Sequence, residues 1–303
     1  MKHPFFKNRK SNKVAFEITP SSVLAMSLAQ VNMVLTVEAS EYLDRAETGR
    51  SRPMLCVCDE EAGETCNVYV KYENFHQDLT CDHLVAELIA NVFAIDLGLP
   101  AAEPCLVKID EAFVDTLPET PDGVALRTAL SNAPLTAFGS KQISPVRRWE
   151  TTDLVHKSQR REAALLYLFD TLVENTDRGN GNPNLLMSGL SFKVIDFGHS
   201  FQRCWTGATF NGTTMPWCNG GVGNHFPGNM QHIMYKSCQG VEEGVLDDFT
   251  SSLVDLTDAK IEAYIECVPG EWGQEAACAI IDYLIQAREN ANQFIDQVRG
   301  VLK

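Results

Sequence analysis

The sequence predicts an α+β fold in two lobes, an antiparallel-sheet N-terminal lobe with one prominent helix and a mainly helical C-terminal lobe. Three observations predict it. Short runs with alternating apolar residues, punctuated by Gly- and Pro-containing turns, fill the chain up to Tyr72. A helix of strong 3.6-residue period follows them, over Leu84 to Leu97. Beyond residue 145 the long periodic segments are helical. The expected division is an N-terminal extension (1–30), an N-terminal lobe (31–145) and a C-terminal lobe (146–303).

The elements follow in order. Met33 to Val37 reads as a first strand, ended by the turn residues Thr48-Gly49-Arg50-Ser51-Arg52-Pro53. Leu55 to Cys58 is a second strand, and Asp59 to Glu64 an acidic turn with Gly63. Asn67 to Tyr72 is a third, with Val68 and Val70 on one face and Tyr69 and Lys71 on the other. In the helix that follows, Leu84, Val85, Leu88, Ile89, Val92 and Phe93 form the apolar stripe, Glu87 lies on the polar edge, and Gly98 with Pro100 provides the stop. Cys105 to Ile109 is a further strand, and Asp110 to Asp122 reads as an acidic connection between elements. Gln159 to Glu174 is a helix that delivers the loop Asn175–Asn184. Leu185 to Met187 and Phe192 to Ile195 form a hairpin around Ser188-Gly189. Phe201 to Gly240 has no clear periodicity, whereas Asp258 to Cys267 and Gln274 to Leu302 read as two helices.

The whole-chain properties exclude some functions. A net charge of −15 argues against general affinity for nucleic acid or anionic membrane. Arg147, Arg148, Lys157, Arg160 and Arg161 cluster in sequence and read as a solvated face. The ten cysteines are scattered and none has C-x-x-C spacing, which argues against a zinc site. No apolar run is long enough to span a bilayer and no secretory leader is evident, so a reduced, cytoplasmic protein is the expectation.

The chemistry concentrates in Asn175-Thr176-Asp177-Arg178-Gly179-Asn180-Gly181-Asn182-Pro183-Asn184 and in Val194-Ile195-Asp196-Phe197-Gly198. An Asp and an Asn five residues apart on one loop, with a second Asp after a short apolar strand, are the groups that phosphoryl transfer needs. Asp177 is the candidate base for the attacking hydroxyl, and Asn182 and Asp196 are candidate magnesium ligands. Lys71, ending its strand, is placed to reach phosphates from a partly exposed position, with Glu87 sixteen residues on as its ion-pair partner. Gly49, Arg50 and Ser51 lie where a nucleotide-covering loop falls, although a single glycine is a thin signal. Arg178 is assigned to the loop or to a phosphate, and His199 to structure; His83, His156, His225 and His232 receive no role. Trp205, Trp217 and Trp272 read as core anchors.

These residues resemble the HipA-like kinases, in particular a short bacterial branch that is little more than the kinase core. The resemblance rests on Val34–Val37 with the Gly49–Pro53 turn, Tyr69-Val70-Lys71, Leu84–Ala90, Leu97–Pro100, Asn175–Arg178 with Asn182–Leu186, and Ile195–Gly198. Phe138 to Ile143 is similar to the strand that leads to the interlobe hinge, which implies adenine binding at Gln142 and Ile143. The resemblance implies a two-lobed protein-kinase-like fold, ATP and Mg2+ as cofactors, Lys71 on the phosphates, Asp177 as base, and Asn182 and Asp196 on the metal. Better-studied relatives phosphorylate Ser or Thr on proteins and often act beside a small antitoxin, so a protein substrate and an antitoxin-like partner are implied as well. The glycine-poor covering loop departs from the pattern. Two further readings stay open: a small-molecule or lipid-head-group kinase, and an inactive kinase-fold binding module. Small-molecule kinases usually carry His two positions before the Asp, where this chain has Asn175.

Overall fold

A computed structural model describes residues 34–46, 51–73, 75, 79–131, 136–150, 152–206, 214–222 and 232–303. The N-terminal extension, Gly49, Arg50 and much of the unassigned 201–240 stretch lie outside these residues. Five strands come first: β1 (Leu35–Arg45), β2 (Met54–Glu60), β3 (Thr65–Lys71), β4 (Pro104–Lys108) and β5 (Thr136–Lys141). They close into a barrel in the order β1-β2-β3-β5-β4. The expected antiparallel sheet is therefore corrected in one respect: β1 pairs with β4 in parallel, and this pairing leaves no free edge.

Alternation decides which side chains enter the barrel. Cys56, Cys58, Val68, Val70, Cys105, Val107 and Ala137 are buried in its interior, so Cys56 and Cys58 do share a face. All ten cysteines are free thiols, and burial pushes that of Cys58 up to about 12, which leaves it inert. The outward set of β3 includes Lys71, and β3 is an inner strand between β2 and β5 rather than an edge.

Helix α1 (Cys81–Asp96) follows β3 and is buried almost all round, from Leu84 to Ala94. It ends where expected: Gly98 adopts φ 77°, which a side chain would resist, and its N–H donates to Ile95 O (2.9 Å). The segment read as an acidic connection instead forms two helices, α2 (Glu111–Thr116) and α3 (Pro121–Leu130). Asp110 and Thr120 cap them through the Phe113 and Gly123 amides, and Pro121 occupies the first turn, where its missing N–H costs nothing. Asp122 of α3 then pairs with Arg52 (3.1 Å), bracing the β1–β2 connection from outside.

The remainder is helical around a small sheet. Strands β6 (Arg147–Arg148), β7 (Leu185–Ser188) and β8 (Ser191–Val194) pair antiparallel. Helix α4 (Arg160–Leu172) is the central element, and a short α5 (Gln202–Trp205) follows β8. The chain closes with α6 (Glu243–Val254), α7 (Asp258–Glu262), α8 (Glu275–Glu289) and α9 (Ala291–Val301). The single helix expected over 274–302 is interrupted at Asn290, so α9 turns away to bury Phe294, Ile295 and Val298. One apolar cluster joins α1, α4, β7, β8 and the C-terminal helices. Trp217 and Trp272 are buried in it as expected, and Trp205 is half-buried. Among the described residues no helix is long and apolar enough to cross a membrane.

Candidate active site

The site forms where the end of β3, α1, the 175–184 loop and the residues after β8 converge. Lys71 lies at the C-terminal end of β3, and its ammonium meets both oxygens of Glu87 at 2.8 and 2.9 Å. A third contact reaches Asp196 Oδ1 at 2.9 Å. The sequence expectation of a partly exposed lysine and a polar-edge glutamate is corrected: Lys71 is 9% exposed and Glu87 3%. The reason is that α1 has no solvent face at this point, so Glu87 enters the interior only because a cation meets it there.

The electrostatics of this triad are mutual. Burial would lower the pKa of Lys71, but the charges of Asp196 and Glu87 outweigh it and hold the ammonium above its ordinary value. Burial likewise opposes ionisation of Asp196, and Lys71 more than compensates, so its carboxyl stays below the usual range. Glu87 moves the other way, raised by burial and by the charge of Asp196 against the pull of Lys71. Asp196 itself sits at φ 60°, a left-handed position that Asp and Asn adopt more readily than bulkier residues. Gly198 then passes so close that a Cβ there would lie 3.3 Å from Glu87 Oε2. A side chain at 198 would press directly on the ion pair.

Asp177 stands on the loop after α4. Its N–H donates to Asn175 Oδ1 (3.2 Å), while its Oδ2 accepts from Asn182 Nδ2 (2.7 Å) and Asn184 Nδ2 (3.1 Å). His199 Nε2 lies 4.0 Å from the same oxygen. The hydrogen bonds given to Asp177 Oδ2 leave Oδ1 for another donor, and the orientation of Asn182 leaves its own Oδ1 free to meet a cation. Burial, reinforced by the charge of Asp196, raises the Asp177 carboxyl above the ordinary aspartate value. Of the proposed nucleotide contacts, Gln142 is held by Asn67 through both backbone and side chain (2.7 and 2.9 Å). Ile143 is half-buried beside it, and Ser51 is half-buried as well.

A buried network that sequence reasoning missed supports the loop. Asp170 of α4 is fully buried and accepts from Asn175 Nδ2 (3.0 Å), Arg178 Nε (2.6 Å) and His232 Nε2 (2.8 Å). Arg178 is also fully buried, so it is a brace rather than a phosphate ligand. Its Nη1 reaches the carbonyls of Pro183 (3.4 Å), Asn184 and Ile195 (3.2 Å), joining the loop to the residue before Asp196. One signal was present in the sequence: Asp170 falls in register with the buried Ala163, Leu166 and Tyr167 of α4, where a carboxylate must be paired. The position of His232, 62 residues further on, had none.

This network predicts acid sensitivity. Burial lowers the pKa of His232 below 6.5, with Asp170 pulling only partly against it. Burial opposes ionisation of Asp170, but Arg178 and His232 hold its pKa below the ordinary value. Both folded-state values are depressed. The stability they contribute is therefore complete above the unfolded value of His232 and is lost as pH falls through 6.5 toward the folded one. The urea midpoint is expected to drop between about pH 7.5 and about pH 5.5, and His232→Gln to flatten that drop. An equally steep drop in the variant would remove His232 as the cause.

A family model described as HipA-like kinase matches residues 39–212 of this chain. Among solved structures, the chain is similar to the Helicobacter pylori proinflammatory kinase CtkA, with TM-score 0.46 and 13% identity over 84% of this chain and 92% of that one. It is also similar to the Golgi casein kinase with Mn/ADP bound, with TM-score 0.42 and 12% identity over 93% of this chain and 78% of that one. No curated protein matches it.

Proposed function

We propose, from the premise that this chain belongs to the HipA-like kinase family, that it transfers the γ-phosphate of ATP to a Ser or Thr hydroxyl of a protein. The observation that carries this reading is the placement of Lys71 between Glu87 and Asp196, at 2.8 and 2.9 Å. It puts a fixed, permanently charged ammonium beside a carboxylate that stays ionised, the pairing that phosphoryl transfer uses to hold a nucleotide and its metal. In this reading the barrel and α1 form the nucleotide-covering lobe, and residues 146–303 form the lobe that carries the catalytic loop.

The donor set fits magnesium. Asp196 and Asn182 offer hard oxygens, and among the described residues no group of three His, Cys, Asp or Glu side chains encloses a metal alone. Magnesium is typically held by one or two carboxylates with the nucleotide phosphates completing its shell. Asp196 and Asn182 are the residues that would hold it, and bound there it would neutralise charge on the transferring phosphoryl group. Lys71 aligns the phosphates. Gln142 and Ile143, in the segment after β5, are the residues that would receive the base; Gly49 and Arg50, expected from the sequence to cover the phosphates with Ser51, lie outside the described residues. Asp177 holds the acceptor hydroxyl through Oδ1 and takes its proton as the new bond forms.

The test is incubation with γ-labelled ATP and magnesium, with and without host-cell lysate, beside Asp177→Ala. Label on a lysate protein, lost in the variant, is the expected result. Label confined to small molecules would replace the protein acceptor with a metabolite. Nucleotide binding without any transfer would leave only a binding module.

A further inference from the structure

The catalytic loop is held from a distant part of the chain, and the structure assigns that task to one residue. We propose that His232 is a positioning residue for Asp177, acting through Asp170. The path is short. His232 Nε2 donates to Asp170 Oδ2 (2.8 Å), and the other oxygen of Asp170 accepts from Asn175 Nδ2 (3.0 Å). That bond turns the Asn175 amide so that its Oδ1 accepts the N–H of Asp177 (3.2 Å). A second branch runs from Asp170 to Arg178 (2.6 Å), and from Arg178 to the Ile195 carbonyl (3.2 Å), the residue before Asp196. Asp177 and Asp196 are thus both anchored to a single buried aspartate, and His232 is the donor from outside the loop that helps fix the orientation of that aspartate.

The ring is itself fixed on both sides. Its Nδ1 accepts from the Met234 amide (3.1 Å), so Nε2 carries the proton offered to Asp170. The Tyr167 ring packs edge-on at 5.3 Å. The backbone repeats the connection, since Ile233 N–H donates to Arg178 O (3.2 Å) in a bridge between Gly179 and His232. Loss of the imidazole would leave that bridge in place but remove one of the three donors that hold the buried carboxylate, loosening its orientation. The consequence is specific to the 175–184 loop rather than to the core as a whole.

Two substitutions separate this role from simple packing. Glutamine can set an amide donor near the position of Nε2 and so preserve the bond to Asp170. Asparagine can set an acceptor near Nδ1 and preserve only the Met234 contact. Amide hydrogen exchange is measured on the full chain for His232→Gln, His232→Asn and His232→Ala, together with label transfer from ATP. In the Ala and Asn variants, exchange of amides 177–182 and 184 is expected to rise about tenfold while β2 and β3 stay at the wild-type rate. Transfer should fall with little change in the KM for ATP, and Gln should restore both readings. Wild-type exchange in the Ala variant, equal acceleration of loop and barrel, or a Gln variant as fast as Ala would each overturn the proposal. The activity arm rests on the kinase reading, but the exchange arm does not: wild-type protein that transfers no phosphate would defeat that reading and leave the exchange result to decide this one.

Discussion

Asp177→Ala is expected to lower phosphoryl transfer by about 10²- to 10⁴-fold, the usual loss for a positioned proton acceptor. Nucleotide binding should survive, because the triad of Lys71, Glu87 and Asp196 is built without Asp177. The fold should survive as well. Truncation strands only the side-chain amides of Asn182, which is exposed, and Asn184, which is half-buried, and water can replace their bonds. Asp196→Asn provides the contrast. Asparagine tolerates the left-handed backbone at φ 60°, so the turn is kept while the charge facing Lys71 is removed. That variant should lose affinity for the metal–nucleotide complex, whereas Asp177→Ala should lose turnover. Steady-state transfer and equilibrium nucleotide binding, measured on both, check the division of labour. Transfer by Asp177→Ala within about threefold of wild type would assign the base elsewhere.

Arg178→Met should be the most destabilising single change at the site. It removes the cation from a pair in which both side chains are fully buried, and it leaves the Asp170 carboxylate with neutral donors only. Breaking a buried pair from one side typically costs about 3–5 kcal/mol, because the remaining charge stays in a poor solvent. The carbonyls of Pro183, Asn184 and Ile195 lose their donor in the same step. For a chain of this size a loss of that magnitude corresponds to a fall of roughly 6–20 °C in Tm. Arg178→Lys should lie between the two, since an ammonium keeps the charge but lacks the fork that spans Asp170 and the carbonyls. Thermal and urea unfolding give the comparison. A loss below about 1 kcal/mol in the Met variant would mean that water reaches Asp170 and that the network is not sealed.

Local pattern carried much of the molecule. Period-two alternation identified β2 and β3 and the shared face of Cys56 and Cys58, because each strand buries one side. Helical periodicity identified α1 and α4, and the spacing of Asp177 and Asn182 placed them within reach of one another, since neighbours on one loop are close in space by construction. Lys71 and Glu87 were paired from their positions on consecutive elements, although their burial was not visible. The two helices within 111–130 were hidden by an acidic, proline-containing stretch whose capping pattern was outweighed by its composition.

What the sequence determined by itself is the run of strands β2 and β3, the helices α1 and α4, and a set of candidate groups for the site, because these follow from residue type and short spacing. Only the tertiary structure decided that the sheet closes through a parallel β1–β4 pairing, that Lys71 and Glu87 are interior, and that Asp170 gathers Asn175, Arg178 and His232. The β1–β4 pairing and the arrival of His232 depend on residues far apart in the chain, and the burial of Lys71, Glu87 and Asp170 depends on the elements packed over them. Burial there is set by which surfaces meet, and a charge is tolerated inside only where a partner meets and compensates it.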